Sequence, residues 1–481
     1  MKKVSLYVSF LAIASLSFLS CEKEEVFTAP SVTLGTLSTE VPFAAKDQTV
    51  TFNVAKDPNV SANYITTATG VTVKNPSGTI VGNTVSINFD AGTTAGAGSI
   101  TLDITDSQGQ KSSATYVITI VGEVKVFTLT TNISTDATWE TGKTYILGGR
   151  ITVTSGATLT IQPGVIIKGR AGIGANATAL LIARGAKLNA NGTATLPIIF
   201  TSVADEISPE DIAAGRFVSP NLAPTINGLW GGVIVLGKAK ISASNASGDV
   251  SEAQIEGIPT SDQNGLYGGI DDADNSGSIK YVSIRHGGAN IGNGNEINGL
   301  TLGGVGSGTV IENIEIVANQ DDGIEFFGGK VSVKNAVVWN VGDDAIDTDQ
   351  SWSGTLDNFA IITPEDHNFE LDGPEGSYAA GHQIMNGWVN AANAGDLINT
   401  DANSIVDLKS IYFKGVGATQ VINRVTAPRV TFTDIFIDVL AVNLANNVNG
   451  AIPAGVKAGK TNTADLSKFN WTWAAKADVL K

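Results

Sequence analysis

The sequence predicts an all-β protein in which a right-handed parallel β-helix follows an immunoglobulin-like β-sandwich. Glycine is abundant, with 54 residues, charged residues make up only 16 % of the chain, and the long charged blocks typical of helices are missing. Similar segments also recur at a fixed spacing: Asp322 and Asp344 lie 22 residues apart, and Asp344 and His367 lie 23 apart. A period of roughly 20 to 50 residues indicates stacked repeats, each of which adds one coil.

The N-terminal residues 1–20 have the pattern of an export signal. A basic start precedes an apolar run, and Cys21 follows it directly. This pattern resembles a bacterial lipoprotein signal, which implies that Cys21 is lipidated after cleavage; an ordinary secretion signal with an incidental cysteine is the alternative. The acidic residues 22–25 resemble the surface-export tag of Bacteroidota-type lipoproteins. We therefore expect an outer-membrane lipoprotein exposed at the cell surface, with residues 21–30 as its tether and without disulfides, because the chain has one cysteine.

Residues 31–122 alternate short apolar strands with turn clusters about every 8–12 residues, which is typical of a small sandwich. The predicted strands are residues 31–34, 48–54, 70–73, 84–89, 99–104 and 115–121. The last of these segments look like the final hairpin of an immunoglobulin-like or cadherin-like module. The region carries no cluster of aromatic or charged residues, so a spacer is favoured over a binding domain.

Residues 123–481 have longer apolar runs, and glycines recur about once per predicted coil, as expected for parallel coils. Two insertions interrupt the pattern, near residues 205–227 and 258–276. In the first, Ser208 and Pro209 are a helix cap and a first helical residue, which predicts a short helix. The second is rich in glycine and aspartate.

Two further patterns in this region predict structural roles. Asn313, Asn335 and Asn358 recur at steps of 22 and 23 residues, each just before an apolar strand. Stacked asparagines at a coil corner bond to one another, so we expect a structural ladder there. Trp471 and Trp473 are predicted to close the open end of the last coil.

Acidic residues in three successive repeats are the main candidates for function. The repeats are DDGIEFFGG (321–329), DDAIDTDQS (343–351) and HNFELDGPE (367–375), after a less acidic copy that starts at Asn298. Side chains alternate between the faces of a strand, so stacked repeats place equivalent residues in columns. The expected outward columns are Glu325, Asp347 and Glu370, and beside them Phe327, Asp349 and Asp372; the expected inward column is Ile324, Ile346 and Phe369.

Stacked carboxylates require a counterbalance. Neighbouring coils lie about 4.8 Å apart, where two carboxylates repel by about 0.9 kcal/mol in water and by about 3.5 kcal/mol at an effective dielectric of roughly 20. A hard cation with oxygen ligands, Ca²⁺ above all, is one solution. The others are a carboxylate pair that shares a proton for acid–base chemistry, and solvation without a site. The predicted Ca²⁺ ligands are Asp347, Asp349, Glu370, Asp372 and Glu325; the residues expected to act in an enzyme are Asp347, Glu370 and Asp344.

A second calcium pattern is weaker. Asp272, Asp274 and Ser276 spell the first half of a calcium loop, but Ser283 stands where the bidentate glutamate is expected. Trp352 and Trp388 are predicted to offer stacking surfaces for sugar rings near the acidic residues, and Tyr378 is a further aromatic in the same window. Core packing is the alternative for each of these aromatic residues.

The three histidines, His286, His367 and His382, fall within one window of about a hundred residues, and His367 continues the column of Asp322 and Asp344. A turn hydrogen bond is the usual role of such a histidine. Paired His or Cys ligands at zinc spacing are missing from the sequence, so a zinc site is not expected. Lyase chemistry would require a basic residue as proton acceptor beside the acidic repeats, and Arg285 is the nearest candidate by coil number.

Several segments, in order, resemble a family of exported, often lipid-anchored right-handed parallel β-helix proteins of Bacteroidota and other Gram-negative bacteria. They are LWGGVIVLG (229–237), DADNSGSIKYVSIRHGG (272–288), NGLTLGGVGSGT (298–309), the acidic repeats and the final WTW. The resemblance covers most of residues 126–481 and implies the fold, and no established activity comes with it. A second resemblance is to pectin-degrading β-helix enzymes: NQDDG (319–323) and GDD (342–344) are similar to two segments of polygalacturonases. The third segment of those enzymes, GHG, is incomplete at residues 381–383.

The net charge of −16 excludes nucleic acid as a partner and disfavours other polyanions unless a metal intervenes. The sequence therefore predicts a surface-anchored binding or accessory module that contacts a glycan, an outer-membrane transporter or another surface protein through a Ca²⁺-binding acidic face. A polysaccharide lyase or glycoside hydrolase that uses the same carboxylates is the first alternative. A structural envelope protein is the second.

Overall fold

The computed structural model describes residues 25–35, 38–292, 297–423 and 429–481, so the predicted lipidation site Cys21 lies outside the described residues. The described chain forms two compact units, one ending at Val124 and one beginning at Lys125. Nearly all regular structure is β, which agrees with the predicted fold class. Among the described residues, no helix combines the length and apolar character that crossing a membrane requires.

The first unit is a sandwich of two sheets. Its strands are β1 (Ser31–Leu34), β2 (Ser38–Pro42), β3 (Gln48–Ala55), β4 (Ala62–Thr69), β5 (Val71–Val73), β6 (Ser77–Thr79), β7 (Thr84–Ala91), β8 (Gly96–Asp106) and β9 (Lys111–Val121). One sheet has the order β1-β3-β7-β5 and the other β2-β9-β8-β4-β6. All pairs are antiparallel except β2 with β9, and the alternating apolar side chains of both sheets form one core. The sequence did not predict β2, β4 and β6; β4 in particular is rich in small polar residues.

The second unit is a parallel β-helix with two insertions. Its strands are β10 (Val126–Leu129), β11 (Ala137–Trp139), β12 (Thr144–Leu147), β13 (Ile151–Val153), β14 (Thr158–Ile161), β15 (Ile166–Gly169), β16 (Leu180–Ile182), β17 (Lys187–Asn191), β18 (Ile198–Ser202), β19 (Val233–Leu236), β20 (Ala243–Asn245), β21 (Gly248–Val250), β22 (Glu252–Gln254), β23 (Leu266–Gly268), β24 (Gly277–Arg285), β25 (Leu300–Gly303), β26 (Val310–Val317), β27 (Ile324–Phe327), β28 (Val333–Trp339), β29 (Ile346–Asp349), β30 (Thr355–Ile362), β31 (Phe369–Leu371), β32 (His382–Asn390), β33 (Asn399–Thr400), β34 (Val406–Lys414), β35 (Val430–Ile437) and β36 (Val456–Ala458).

Each central coil, from β24 and β25 to β32 and β33, contributes one longer, bent strand and one short strand, whereas the first coils are built from separate short strands. The short-strand sheet has the order β13-β16-β19-β25-β27-β29-β31-β33. The bent-strand sheet runs β10-β12-β15-β18-β24-β26-β28-β30-β32-β34-β35-β36, with β11, β14 and β17 pairing beside it. The coil strands pair in parallel, and their inward apolar side chains, which include Ile324, Ile346 and Phe369 as predicted, fill one continuous core.

The asparagine ladder is confirmed. Asn313, Asn335 and Asn358 interrupt β26, β28 and β30 with φ values of 58°, 59° and 60°, the left-handed conformation that asparagine adopts more readily than most residues. Asn335 Nδ2 donates to Asn313 Oδ1 at 3.1 Å, and Asn358 Nδ2 donates to Asn335 Oδ1 at 2.8 Å. The ladder therefore fixes the corner at which each bent strand changes direction.

The first insertion contains the predicted helix, α1 (Pro209–Ala213). Ser208 caps it: its hydroxyl accepts from the backbone N–H of Asp211, and Asp211 accepts in return from the backbone N–H of Ser208. The second insertion is longer than the sequence indicated, since β19 ends at Leu236 and the next coil strand, β24, begins at Gly277. Between them lie the antiparallel pairs β20–β21 and β22–β23.

The C-terminal segment does not close the end of the coil, which corrects the expectation for Trp471 and Trp473. Helix α2 (Trp473–Lys476) lies instead on the outer face of the bent-strand sheet, over its central coils. The indole of Trp473 stacks on the guanidinium of Arg285 at 4.9 Å and packs edge-on against Trp339. Apolar side chains at outward positions of these coils attract the segment, because they are otherwise left in water.

Candidate functional site

The acidic residues of successive repeats form the predicted column on the outer face of the short-strand sheet. Glu325 of β27 pairs in register with Asp347 of β29, and Asp347 pairs with Glu370 of β31. Asn399 of β33 continues the column, and its amide donates to Glu370 Oε1 at 3.3 Å. In the neighbouring column, Phe327 pairs with Asp349.

A second acidic column precedes the short strands at the turn of each coil. The backbone N–H of Asp344 donates to Asp322 Oδ1 at 2.9 Å. One coil further, the backbone N–H and the Nδ1 of His367 contact Asp344 Oδ1 at 2.6 and 2.9 Å. Each carboxylate thus satisfies a backbone donor of the next coil, which explains why an aspartate suits this turn. The two columns lie side by side.

Donor atoms from these columns converge on several points. Four groups of three side chains each have potential ligand atoms within 4.8 Å of one another: Asp322, Glu325 and Asp347; Asp344, His367 and Glu370; Asp321, Asp322 and Asp343; Asp343, Asp344 and Asp366. The first group is the deepest, because Asp322 and Glu325 are buried and Asp347 is largely covered.

Burial and like charge oppose ionisation of the deep carboxylates. Burial raises the pKa of Asp322, Glu325 and Asp347 well above the ordinary range, and the charges of neighbouring acids raise each pKa further. Among the described residues, no lysine or arginine forms an ion pair with these three side chains. The deep group therefore either holds protons or requires a cation.

Three half-buried residues border the deep group. Burial, and then the charges of Asp372 and Glu375, raise the pKa of Asp349 to about 7. Burial raises the pKa of Glu370 to about 8, together with its hydrogen bond to Asp344. Burial disfavours the protonated imidazole of His367, but the hydrogen bond to Asp344 and the nearby carboxylates outweigh it and raise its pKa to about 9. The raised pKa values of Asp349 and Glu370 therefore place their change of protonation near neutral pH, whereas that of His367 keeps its imidazole protonated there.

Two buried oxygen atoms at the site have no hydrogen-bond partner among the described residues. One is Oδ1 of Asp347 and the other is Oδ1 of Asn298, whose side chain is 1 % exposed. The Nδ2 of Asn298 donates to Glu325 Oε2 and lies 3.4 Å from Glu256 Oε1. An unpaired buried oxygen costs free energy, so both atoms are available to a cation.

The sequence did not indicate several residues that complete the site. Glu256 comes from the second insertion, and its charge contributes to the raised pKa of Glu325 and Asp349. Glu375 accepts from Gln350 Nε2 at 3.3 and 3.4 Å and thereby lies beside Asp349. Asn298 was visible only as the start of the least acidic repeat. The position of Glu256 depends on how the insertion folds back onto the coil. The repeat spacing of the coil does not predict this, because the insertion itself has no repeat.

The insertion also sets one boundary of the site. Outward positions of the short-strand sheet run in register from Leu181 through Ile234 and Thr301 to Glu325. Insertion residues, including Tyr267, pack on the apolar members of this face. Tyr267 also covers Phe327, with ring centroids 6.0 Å apart. The open acidic face therefore begins where the insertion ends.

The second calcium pattern is not a cation site in the structure. Asp272 forms an ion pair with Lys330 at 2.9 Å, and its other oxygen accepts from the backbone N–H of Lys240. Asp274 accepts from the backbone N–H of Lys238 at 3.0 Å. Ser276 is buried, and its backbone N–H donates to Thr309. These side chains fix the turn before β24, which corrects the prediction of a calcium loop.

Trp352 and Trp388 are not surfaces for sugar rings. Trp352 is 1 % exposed, stacks on Phe326 at 3.9 Å and donates its indole N–H to the Val331 carbonyl at 2.9 Å. Trp388 is 3 % exposed and packs in the cluster beneath the C-terminal segment, with Lys414 over its ring. Both predictions were wrong, since the core-packing alternative applies to each.

The remaining basic candidates lie elsewhere. Arg285 is buried against Glu315 and Trp473 on the bent-strand sheet. His286 packs against Trp473 in the same cluster. His382 packs on Trp352, and burial lowers its pKa to about 3. Of the three histidines, only His367 belongs to the acidic site.

The donor set fits a hard cation. Carboxylate and amide oxygens dominate, and His367 is the one nitrogen donor in the groups of converging ligands among the described residues. Ca²⁺ takes about six to eight oxygen ligands in flexible geometry, whereas structural zinc prefers four Cys or His ligands. Asp322, Glu325 and Asp347 supply the core of such a set, with Asn298 and Glu370 adjacent.

Solved structures similar to this chain include three carbohydrate-active enzymes. A family 28 exopolygalacturonase from Yersinia enterocolitica is 11 % identical, with coverage of 91 % of this chain and 88 % of that one, at a TM-score of 0.20. A GH87 α-1,3-glucanase from Streptomyces thermodiastaticus is 11 % identical, with coverage of 94 % and 96 %, at a TM-score of 0.23. Pectate lyase PelI from Erwinia chrysanthemi is 9 % identical, with coverage of 92 % and 98 %, at a TM-score of 0.15.

Among curated protein sequences, none matches the chain significantly. The family described as "Pectate-lyase like beta helix domain" matches residues 131–469, which is most of the chain and nearly all of the coil. By this match the chain belongs to the pectate-lyase-like β-helix family.

Proposed function

We propose that the protein is a surface lipoprotein that binds a glycan through a Ca²⁺ ion held on the outer face of the short-strand sheet. One observation carries the proposal: ligand atoms of Asp322, Glu325 and Asp347 converge within 4.8 Å, with Asp322 and Glu325 buried and Asp347 largely covered, without a lysine or arginine partner among the described residues. An oxygen of Asp347 and one of Asn298 also lack hydrogen-bond partners there. A divalent cation satisfies the charge and the oxygens at once.

The cation gives the face its ligand specificity. A protein with a net charge of −16 repels an anionic chain, and an ion that retains open coordination positions reverses that effect locally. Hydroxyl and carboxylate oxygens of a polysaccharide are suitable ligands for those positions. A surface protein or an outer-membrane transporter that presents carboxylates is the other kind of partner this chemistry accepts.

The location follows from the predicted lipid anchor. Lipid on Cys21 would hold the chain at the outer membrane, and the sandwich would act as a spacer between the tether and the coil. This is the arrangement implied by the resemblance to exported β-helix lipoproteins of Bacteroidota. Metabolic labelling with a palmitate analogue tests it, since Cys21→Ser should abolish the label while export continues.

The direct test is Ca²⁺-dependent binding to immobilised polysaccharides. The wild-type protein should bind at least one acidic or neutral polysaccharide in Ca²⁺ and lose that binding in EGTA, and Asp347→Asn should not bind in either condition. The matched control is Glu365→Gln, because Glu365 is an exposed acid outside the groups of converging ligands. Binding that persists in EGTA contradicts the proposal.

A second candidate is hydrolysis or elimination on a polysaccharide by the same carboxylates. It is supported by the pKa of Glu370, raised to about 8 by burial and by its hydrogen bond to Asp344, because a general acid must hold its proton at neutral pH. Donor atoms of Asp344 and Glu370 lie within 4.8 Å, near the separation of about 5 to 5.5 Å found in retaining glycosidases. Glu370→Gln should then abolish product release from a polysaccharide panel and leave the fold intact. Turnover equal to the wild type excludes this role for Glu370.

A further inference from the structure

Two clefts open beside the second insertion, apart from the acidic columns. The larger, about 520 Å³, is lined by Arg184 and Lys238 of the coil turns and by Glu252 and Asn264 of the insertion, among others. The smaller, about 440 Å³, is lined by Lys240, Asp249, Ser251 and Tyr378. Gly269 and Ile270 line both clefts, so one short segment separates them. Each volume falls within the range of small-ligand sites, roughly 300 to 1,000 Å³.

Hydrogen bonds hold the walls of both clefts in place. Arg184 Nη1 donates to the Gly268 carbonyl at 2.7 Å and pairs with Glu252 at 2.6 Å, which fixes the insertion to the coil. The backbone N–H of Ser377 donates to Asp249 Oδ1 at 3.0 Å and ties the loop that carries Tyr378 to the same insertion. The clefts are therefore preformed, which lowers the ordering cost of binding.

The charges that line each cleft cancel. In the larger cleft Arg184 and Lys238 oppose Glu252 and Asp271. In the smaller cleft Lys240 opposes Asp249. A charged ligand gains little from such a lining, whereas a ligand rich in hydroxyl groups finds both donors and acceptors. The lining thus favours a neutral, hydroxylated ligand.

Apolar and aromatic surface accompanies these polar groups. Tyr378 is half-buried, and the ammonium of Lys240 lies 5.7 Å from its ring centroid. Ile270 is 85 % exposed between the two clefts. An amphipathic aromatic ring beside hydrogen-bonding groups suits the pyranose ring, which has apolar C–H faces and a polar rim. Ile270 offers a further apolar contact.

The smaller cleft adjoins the acidic site through one loop. Glu375 accepts from Gln350 Nε2 and lies beside Asp349, and three residues later Tyr378 lines the cleft. The Ser351 hydroxyl donates to the Tyr378 carbonyl at 3.1 Å, which anchors the loop to the turn directly after β29, the strand of Asp347 and Asp349. One short loop therefore connects the smaller cleft to the acidic site.

We infer that the two clefts beside Ile270 bind neutral sugar residues of a glycan whose neighbouring part contacts the acidic face, with Tyr378 as the stacking platform. This inference rests on the proposed glycan-binding function and adds the class of sugar and its position. The glycan is accordingly one with uncharged pyranose units, rather than a uniformly anionic chain.

Calorimetric titration of the full chain with hexasaccharides of β-1,4-glucose, β-1,4-xylose, β-1,4-mannose and β-1,3-glucose tests the inference, with hexagalacturonate as the acidic probe. At least one neutral hexasaccharide should bind, and Tyr378→Ala should weaken it about tenfold, as expected for a lost aromatic contact. Tyr378→Phe keeps the ring and should stay within about twofold of the wild type. Ser251→Trp, which fills the smaller cleft, should weaken binding at least as much as Tyr378→Ala.

A second measurement separates this inference from the cation proposal. Tyr378→Ala should leave the rise in melting temperature caused by Ca²⁺ unchanged, whereas Asp347→Asn should abolish that rise. If neutral hexasaccharides bind through Tyr378 without any response to Ca²⁺, the clefts stand and the cation proposal fails. The inference is overturned if no neutral hexasaccharide binds, or if Tyr378→Ala binds as tightly as the wild type.

Discussion

Asp347 and Glu325 are direct neighbours on adjacent parallel strands, and one buried oxygen of Asp347 has no hydrogen-bond partner within the described part of the chain. The two strands cannot shift to separate these side chains, because each strand also pairs with another strand on its other side. A sheet of neutral residues would carry no such penalty. The two carboxylates therefore repel each other unless a proton or a cation neutralises them. We expect the stability of the protein to depend on both pH and Ca²⁺ concentration.

Ca²⁺ should raise the melting temperature of the coil. At a free Ca²⁺ concentration of about a hundred times the Kd, linkage predicts that the free energy of unfolding rises by about 2.7 kcal/mol. In a domain of this size, that gain raises the melting temperature by several degrees. Differential scanning fluorimetry with EDTA and then with increasing Ca²⁺ measures the effect.

Two substitutions make the Ca²⁺ measurement specific. Asp347→Asn should remove the Ca²⁺-induced shift and raise the melting temperature without Ca²⁺, because it deletes a buried charge. Asp272→Asn should leave the shift unchanged, since Asp272 is engaged by Lys330. If Asp347→Asn retains the Ca²⁺-induced shift in melting temperature, or Asp272→Asn loses it, the cation does not bind at the acidic columns.

Without Ca²⁺, the free energy of unfolding should fall as the pH rises from about 5 to about 8. Folding raises the pKa of Asp349 to about 7 and of Glu370 to about 8, whereas unfolded carboxyl groups titrate near about 4. The folded state thus holds more protons across this window, and stability is lost as they dissociate. His367, with a pKa raised to about 9, acts in the same direction above about pH 6.5.

Denaturant unfolding in EDTA at four pH values between about 5 and 8 measures this loss, expected to be about 2 kcal/mol after allowance for solvent screening. Saturating Ca²⁺ should flatten the profile, because the ion replaces the protons. A profile in EDTA that rises with pH contradicts the raised pKa values.

The coil could be predicted because equivalent residues recur in the sequence at a nearly constant spacing of 22 or 23 residues. Asp322, Asp344 and His367 mark equivalent turns, and strand alternation then determines which residues share a column. The register of Glu325, Asp347 and Glu370 needed no further information. Parallel in-register stacking converts a one-dimensional spacing into a three-dimensional neighbourhood.

Contacts across the coil surface could not be predicted in this way. Glu256 reaches the acidic face through an insertion that has no period, and Trp352 and Trp388 were assigned to the surface although both are buried. An aromatic residue after an acidic repeat looks the same in sequence whether it points into the core or out of it. Trp473 similarly packs on a face that only the folded coil creates.

The asparagine ladder should contribute strongly to stability. Asn335→Ala removes hydrogen bonds to Asn313 and from Asn358 and forces alanine into a left-handed conformation with φ near 59°. The expected loss is about 3 kcal/mol, measured by urea unfolding. Asn335→Gly is the matched control, because glycine accepts that φ and should recover about 1 kcal/mol relative to alanine. Equal stability of the two variants would show that backbone strain does not matter at this corner.

The C-terminal segment should be integral to the coil. Trp473 is buried against Arg285, Trp339 and His286, and Trp473→Ala should cost about 3 to 5 kcal/mol of unfolding free energy, as other buried tryptophans do. The same substitution exposes the buried ion pair of Arg285 and Glu315 to water. The carboxylate of Glu315 also accepts from the backbone N–H of Ala474 at 2.9 Å, which links this pair to helix α2. Lys476→Ala, at an exposed position of the same helix, should change the free energy by less than about 0.5 kcal/mol. Urea unfolding followed by tryptophan fluorescence distinguishes the two, and a loss below about 1 kcal/mol for Trp473→Ala would show that the coil is stable without this cover.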